Sequence, residues 1–228
     1  GKSFFYVNPL EVWPPACMDG TTKKHVKPIR QKWFGVACCP PNIARTLASL
    51  GQYVYAAYPE KNQLYVNLFV SNETTLDWNK NEISVKLETK FPWENSYQMG
   101  LKNVPADGMD IFLRVPDYAE DYEIKVNGQK LDVSPENGYC KVHVTGDTEI
   151  QVTFQAPPKF VYANPQVRAD SGKVAIVRGP LVYCLEEIDN GQNLPAIFID
   201  TEAGLKEETS KLFGGCVVIK AKGKKIDE

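Results

Sequence analysis

Two Asn-Gly steps constrain this chain more than any other feature. Asn127-Gly128 divides "YEIKV" from "QKLDV", and Asn137-Gly138 divides "SPE" from "YCKVHV". A type I′ turn needs positive φ at both central residues, which asparagine and glycine tolerate best. Such a pair between strand-forming runs is therefore a strong hairpin signal. Neighbouring runs extend the pattern. "QLYVNLFV", "NEISVKLET", "MDIFLRVP" and "GDTEIQVTFQAP" alternate or are rich in β-branched and aromatic residues. Short strands with a turn about every 8–12 residues predict an antiparallel β-sandwich. The chain has no repeat of fixed period and no low-complexity tract.

The flanks differ in texture. Residues 1–51 end in the one helix the pattern predicts clearly. Pro40 and Pro41 suit its first turn, where a missing N–H costs nothing. Ile43, Ala44, Leu47, Ala48 and Leu50 fall at helical spacing, and Gly51 fits the left-handed position past the end. Residues 52–158 carry the dense strand signals and close at the breaker "APPK". In residues 159–228, "GKVAIVRGPLVYCLEE" reads as two strand runs bent at Gly179-Pro180. Pro180 cannot donate to a ladder, which predicts an edge or a bulge there. "LPAIFID" and "GGCVVIKAKGKK" are weaker strands, and the basic tail reads as a solvated end.

The 228 residues hold 26 Lys and Arg against 28 Asp and Glu, a net charge of -2. That balance gives no electrostatic case for nucleic acid or an anionic membrane as partner. No apolar run approaches the roughly 20 residues that span a bilayer. "GKSFFYVNPLEVW" has neither a starting Met nor a signal peptide and begins almost inside a strand-like run, Phe4 to Val7. The chain therefore reads as part of a longer protein, and its compartment stays open. Six cysteines, at 17, 38, 39, 140, 184 and 216, are too sparse for a disulfide scaffold. Cys140 and Cys184 lie in strand runs and read as small buried hydrophobes. Cys17 and Cys216 lie in loop-like sequence.

The chemistry concentrates at "ACCPPN". Adjacent thiols admit three readings: chance burial, a strained vicinal disulfide, or two thiolates on a metal. A helix N-terminus favours negative charge, lowers a cysteine pKa and makes the sulfur nucleophilic. Bound zinc would deprotonate the thiols outright. Two thiols are only half of the usual four ligands, and no CxxC or HxxxH spacing supplies the rest. The histidines are His25 and His143 alone, and Cys17 is the other thiol of this region.

"YVNPLEV" at 6–12, "WFGVACCPPNIARTLASLGQYVY" at 33–55 and "VAIVRGPLVYCLE" at 174–186 resemble the C-terminal half of glycoside hydrolase family 127. The resemblance implies an (α/α)6 barrel followed by β-sandwich domains. The fold class expected is mostly β, with residues 1–51 a remnant of the barrel. It implies that Cys38 is both nucleophile and zinc ligand and that Cys39 is a second ligand. The family's other two ligands, and its acid/base Glu, lie further upstream. Glu11 and Asp19 do not match them. Tyr6 falls where the family places a sugar-contacting tyrosine, or else is an aromatic of a buried strand. The implied reaction is retaining hydrolysis of an arabinofuranoside or related pentoside, with a thiolate in place of the usual carboxylate nucleophile.

Zinc is then expected in the intact parent enzyme and not in this chain by itself. The partners expected are a glycan substrate, the barrel of the same protein and, as an option, a second copy in a homodimer. The alternative is a non-catalytic carbohydrate-binding or structural sandwich, which needs exposed aromatics on one sheet face. A thiol-disulfide oxidoreductase fits poorly without CxxC. Arg45 is expected to pair with a carboxylate or to point at the site, and Asn42 to satisfy backbone at the helix start. Trp13, Trp33 and Trp93 read as core before sugar stackers.

Overall fold

The computed structural model describes residues 2–6, 14–18, 20, 27–35 and 38–226. It forms two compact units, 1–53 and 54–228. Trp13, His25, Glu11 and Asp19 lie outside the described residues.

In the first unit the main element is α1 (Cys39–Ala48), followed by the single turn α2 (Gly51–Val54) that runs into the second unit. Pro40 and Pro41 sit in the first turn of α1, as their chemistry requires. The helix ends earlier than the apolar spacing implies. The N–H of Ser49 reaches back to Arg45 O and Thr46 O, and its hydroxyl donates to the same two carbonyls at 3.1 Å each. With those carbonyls satisfied no left-handed glycine is needed, and Gly51 opens α2 instead of closing α1. Among the described residues, the run at Phe4 makes one bridge, to Gln31, and no strand.

The second unit is built on the two-residue period of a pleated strand. In chain order its strands are β1 (Tyr55–Tyr58), β2 (Gln63–Val66), β3 (Asn72–Trp78), β4 (Asn81–Thr89), β5 (Ser96–Lys102) and β6 (Met109–Arg114). Then come β7 (Asp121–Val126), β8 (Gln129–Leu131), β9 (Tyr139–Val144) and β10 (Thr148–Gln155). One sheet has the order β1-β2-β6-β9 and the other β3-β4-β5-β10-β7-β8. Every other residue points inward. In β10, Ile150, Val152 and Phe154 are buried while Glu149, Gln151, Thr153 and Gln155 are exposed. Leu64, Ile111 and Val142 of the first sheet share one core with Val85, Met99 and Val152 of the second, which makes the pair a sandwich. All pairings in it are antiparallel except one: β2 runs parallel to β6. The long connection through β3–β5 returns the chain in β2's own direction, which a hairpin series cannot do.

The Asn-Gly steps at 127–128 and 137–138 are both tight turns. Asn127 and Gly128 have φ of 48° and 79° and join β7 to β8. Asn137 and Gly138 have φ of 51° and 82° and close a single bridge between Glu136 and Tyr139. A third turn of the same kind has no Asn-Gly step. Asn79 and Lys80, with φ of 47° and 78°, join β3 to β4. Lysine at positive φ carries no sequence signal. Trp78, fully buried just before this turn, is the core tryptophan among the described residues. Its indole N–H donates to Asn62 Oδ1 at 3.1 Å. Trp33 and Trp93, expected in the core, are 64% and 37% exposed.

The remaining strands are β11 (Lys159–Tyr162), β12 (Val174–Arg178), β13 (Leu181–Tyr183), β14 (Ile197–Ile199), β15 (Leu205–Ser210), β16 (Cys216–Ala221) and β17 (Gly223–Lys225). A one-turn helix, α3 (Glu187–Asn190), follows β13. Gly179-Pro180 is neither edge nor bulge but the tip of the β12–β13 hairpin, with Gly179 at φ 54°. A turn residue there owes no N–H to the ladder. The basic run is not a solvated end over 223–225, where β17 pairs with β14, although these residues remain exposed. Cys140 is fully buried as expected, but Cys184 lies one residue past β13 and is exposed. Cys17, in a 3₁₀ turn, and Cys216, in β16, are buried.

Arg178 fastens these later strands to the sandwich. Its buried guanidinium donates to Pro92 O at 2.9 Å, Trp93 O at 3.4 Å and Glu207 Oε2 at 2.9 Å. Tyr183 adds a bond from its hydroxyl to Val217 O at 3.0 Å. No helix among the described residues is long and apolar enough to cross a membrane.

A left-handed lysine is strained by about 1–2 kcal/mol, part of which glycine's extra unfolded-state freedom offsets. Lys80→Gly is therefore expected to raise the unfolding free energy by about 0.5–1 kcal/mol in urea titrations. A lower value would contradict the turn geometry.

Candidate active site

The thiol pair stands where the chain enters α1. Cys38 is the N-cap residue, already near-helical at φ −89° and ψ −40°, and Cys39 is the first helical residue. Their sulfurs are 3.6 Å apart and unbonded, so the pair is no vicinal disulfide. Cys38 is exposed and Cys39 half-buried, so chance burial does not describe them either.

A small aromatic stack brings Tyr6 to this point. The bridge between Phe4 and Gln31 carries two backbone hydrogen bonds of 2.9 Å. Phe34 packs against Phe4 at 5.3 Å and Tyr6 at 5.1 Å between ring centroids, and Trp33 packs edge-on to Phe4 at 6.3 Å. These contacts lay the strip around Tyr6 beside the segment that leads into α1. The Tyr6 hydroxyl then accepts the Cys38 N–H at 3.1 Å and lies 2.7 Å from Cys38 Sγ. Its oxygen takes the amide hydrogen and its own hydrogen can point at the sulfur. A hydrogen bond of that sense favours thiolate over thiol. The Tyr6 contact, joined by Cys39, holds the Cys38 pKa below the ordinary thiol value, and the same contact pushes the Tyr6 phenol up.

The helix terminus contributes less than its position implies. Pro40 and Pro41 carry no N–H, and the Cys38 N–H is spent on Tyr6. Asn42 does act at the helix start, but it donates to the Cys38 carbonyl at 2.8 Å and caps no N–H. Arg45 donates to Asn42 Oδ1 at 2.9 Å, so among the described residues its partner is an amide of its own helix. Together they fix the main chain at Cys38, 32 residues from Tyr6 in sequence. No local pattern announces such a distant contact; only the clustered aromatics "FFY" and "KWF" point to it.

The spacing of the two thiols suits a shared metal ion. Two sulfurs on one tetrahedral zinc, each about 2.3 Å from it, stand about 3.8 Å apart. The observed 3.6 Å fits that geometry. Among the described residues no group of three His, Cys, Asp or Glu comes together, and Cys17 does not join the pair. His143 lies in the other unit, bonded to Asp110 at 2.9 Å.

The geometry can be set beside known proteins. Residues 1–52 match the beta-L-arabinofuranosidase GH127 catalytic domain, residues 63–157 the GH127 middle domain, and residues 158–221 the glycoside hydrolase family 127 C-terminal domain. A non-reducing end beta-L-arabinofuranosidase of Bifidobacterium longum subsp. longum is 37% identical over 201 residues, which are 85% of this chain and 30% of that protein. A GH127 beta-L-arabinofuranosidase from Geobacillus stearothermophilus T6 has a crystal structure that aligns with all of this chain and 36% of its own, at 40% identity and a TM-score of 0.88. A second GH127 beta-arabinofuranosidase structure aligns with 86% of this chain and 34% of its own, at 31% identity and a TM-score of 0.77. The chain thus spans about a third of the length of these relatives. Three domain models in series and a shared fold over the whole length lead to one assignment: the chain belongs to glycoside hydrolase family 127.

Proposed function

We propose that this chain supplies the nucleophile and two metal-binding thiolates to a retaining glycoside hydrolase acting on arabinofuranosides or related pentosides. The observation that carries this reading is the Tyr6 hydroxyl on Cys38 Sγ, 2.7 Å away, at the head of α1. That contact favours the thiolate form of an exposed sulfur, in the stretch that matches the family's catalytic domain.

The chemistry has two displacements. Cys38 Sγ attacks the anomeric carbon and forms a C–S bond as the glycosidic C–O bond breaks, while a general acid gives the leaving oxygen its proton. Water, deprotonated by the same group, then breaks the C–S bond, and the sulfur leaves as thiolate. That acid, and two further zinc ligands, are expected from the parent protein upstream of this chain. Zinc held by Cys38 and Cys39 would supply charge that keeps both sulfurs deprotonated. Tyr6 holds the Cys38 sulfur in place and favours its thiolate form. Asn42 and Arg45 keep the Cys38 main chain from shifting. In residues 52–228 the alternative, a carbohydrate-binding sandwich, gains support from an aromatic cleft of its own.

Three outcomes are expected. In the full-length parent, Cys38→Ser folds normally and loses turnover of an aryl arabinofuranoside by about 10³-fold or more, because serine is far less nucleophilic at neutral pH. Near-normal turnover would remove Cys38 from the mechanism. In the chelator-treated chain, Tyr6→Phe deletes the donor that lowers the Cys38 pKa. The sign follows: iodoacetamide alkylation of Cys38, followed by peptide mass spectrometry, slows at pH 7 and its pH profile moves upward. An unchanged profile would mean the phenol does not support the thiolate. Finally, the 228-residue chain by itself is expected to release no arabinose and to retain well under one zinc after dialysis, by mass spectrometry of the metal. Stoichiometric zinc would place further ligands within this chain.

A further inference from the structure

The outward face of the β1-β2-β6-β9 sheet carries a second feature. Tyr65 and Phe112 are register partners on the parallel strands β2 and β6. Their rings stack at 4.2 Å between centroids, 7° from parallel. Phe112 therefore occupies one face of Tyr65. Across β1 the partner of Tyr65 is Ala56, whose single methyl is too short to cover the other face. A cleft of about 520 Å³ opens there, within the range of small-ligand sites. Ala56 and Tyr65 line it, and Phe112 does not.

The walls are equally specific. Tyr58 and Tyr139 stand edge-on to Tyr65, at 5.8 and 5.3 Å. Lys61 lies over the Tyr58 ring at 5.7 Å, which steadies that wall. Asn67 lines the cleft, its Oδ1 accepts the Tyr139 hydroxyl at 2.8 Å, and its NH₂ is uncommitted among the described residues. The Gln63 amide is likewise uncommitted among the described residues. No carboxylate lines the cleft. An aromatic face with planar amides beside it suits a neutral ligand that has an apolar C–H face and a rim of hydroxyls. A sugar ring has both.

We propose that this cleft is a non-catalytic subsite for a neutral glycan, with one sugar ring on the free face of Tyr65 and its hydroxyls bonded by Gln63 and Asn67. The class of ligand draws on family membership and is independent of the thiolate mechanism at Cys38. In the parent enzyme such a subsite would keep a polysaccharide near the protein between cleavage events.

Affinity electrophoresis of the 228-residue chain tests it, in gels cast with soluble arabinan, with arabinoxylan or with neither. The chain is expected to be retarded by at least one polysaccharide. Tyr65→Ala should weaken that binding at least fivefold. Ala56→Leu should do the same by filling the cleft while leaving the melting temperature unchanged, and it decides the matter if Tyr65→Ala fails to fold. Cys38→Ser should be retarded as strongly as the unaltered chain. Absence of retardation in both polysaccharides, retardation that survives Ala56→Leu, or binding lost in Cys38→Ser would each overturn the proposal. Capture of an apolar peptide at this cleft in place of either polysaccharide would overturn it as well.

Discussion

The pleat of a β-strand, with its period of two, governs the second unit of this chain. Leu64 and Val66 point inward from β2, while Gln63 and Tyr65 between them point outward. The same division holds in β6, β9 and β10. Each inward Val, Leu or Ile contributes about 1.5–3 kcal/mol by leaving water. A slip of one residue would turn that whole set toward solvent. Register is thus held by many side chains at once, and the turns need only be compatible with it. Because the inner face does all the holding, the outer face is free to carry chemistry. The Tyr65–Phe112 stack and its cleft exist only because the core makes no demand on those positions.

Much of this could be read from the residues alone. The Asn127-Gly128 and Asn137-Gly138 turns were visible because few residues accept positive φ, and the strands around them because apolar side chains alternate. The parallel pairing of β2 with β6 was not visible. It joins residues more than 40 apart, and nothing local records the direction in which a distant strand returns. The Asn79-Lys80 turn was hidden by the lysine, whose strain is tolerated because Trp78 and its neighbours anchor the strands on either side. Cys184 is exposed because the ladder stops short of it. A strand run in sequence does not say where the ladder stops, and β13 stops at Tyr183. The end of α1 was misplaced because Ser49 satisfies the last carbonyls that a glycine would otherwise serve.

The candidate active site divides in the same way. "ACCPPN" marks the thiols, the helix start and the prolines, all of them local. What activates the sulfur is not local. The same prolines that announce the helix also strip it of N–H groups, so the anion-binding power expected of a helix terminus is blunted. A phenol 32 residues away takes over that role. Two unequal means serve one sulfur, and the sequence displays the weaker of them. Asn42 shows a related inversion: a residue type known for capping N–H groups is used here to grip a carbonyl.

Arg178 shows how the later strands can stay attached while their surroundings change. Two of its three partners are the main-chain carbonyls of Pro92 and Trp93. A guanidinium that grips peptide oxygens reads the path of the backbone and ignores the side chains along it. The loop at 92–93 is therefore free to drift in composition, as long as its course is kept. Arg178 has no such latitude, because lysine could not span both carbonyls and Glu207 with one fork. The hydrogen bonds at this joint thus depend on the arginine fork at 178 and not on the side chains at 92 and 93.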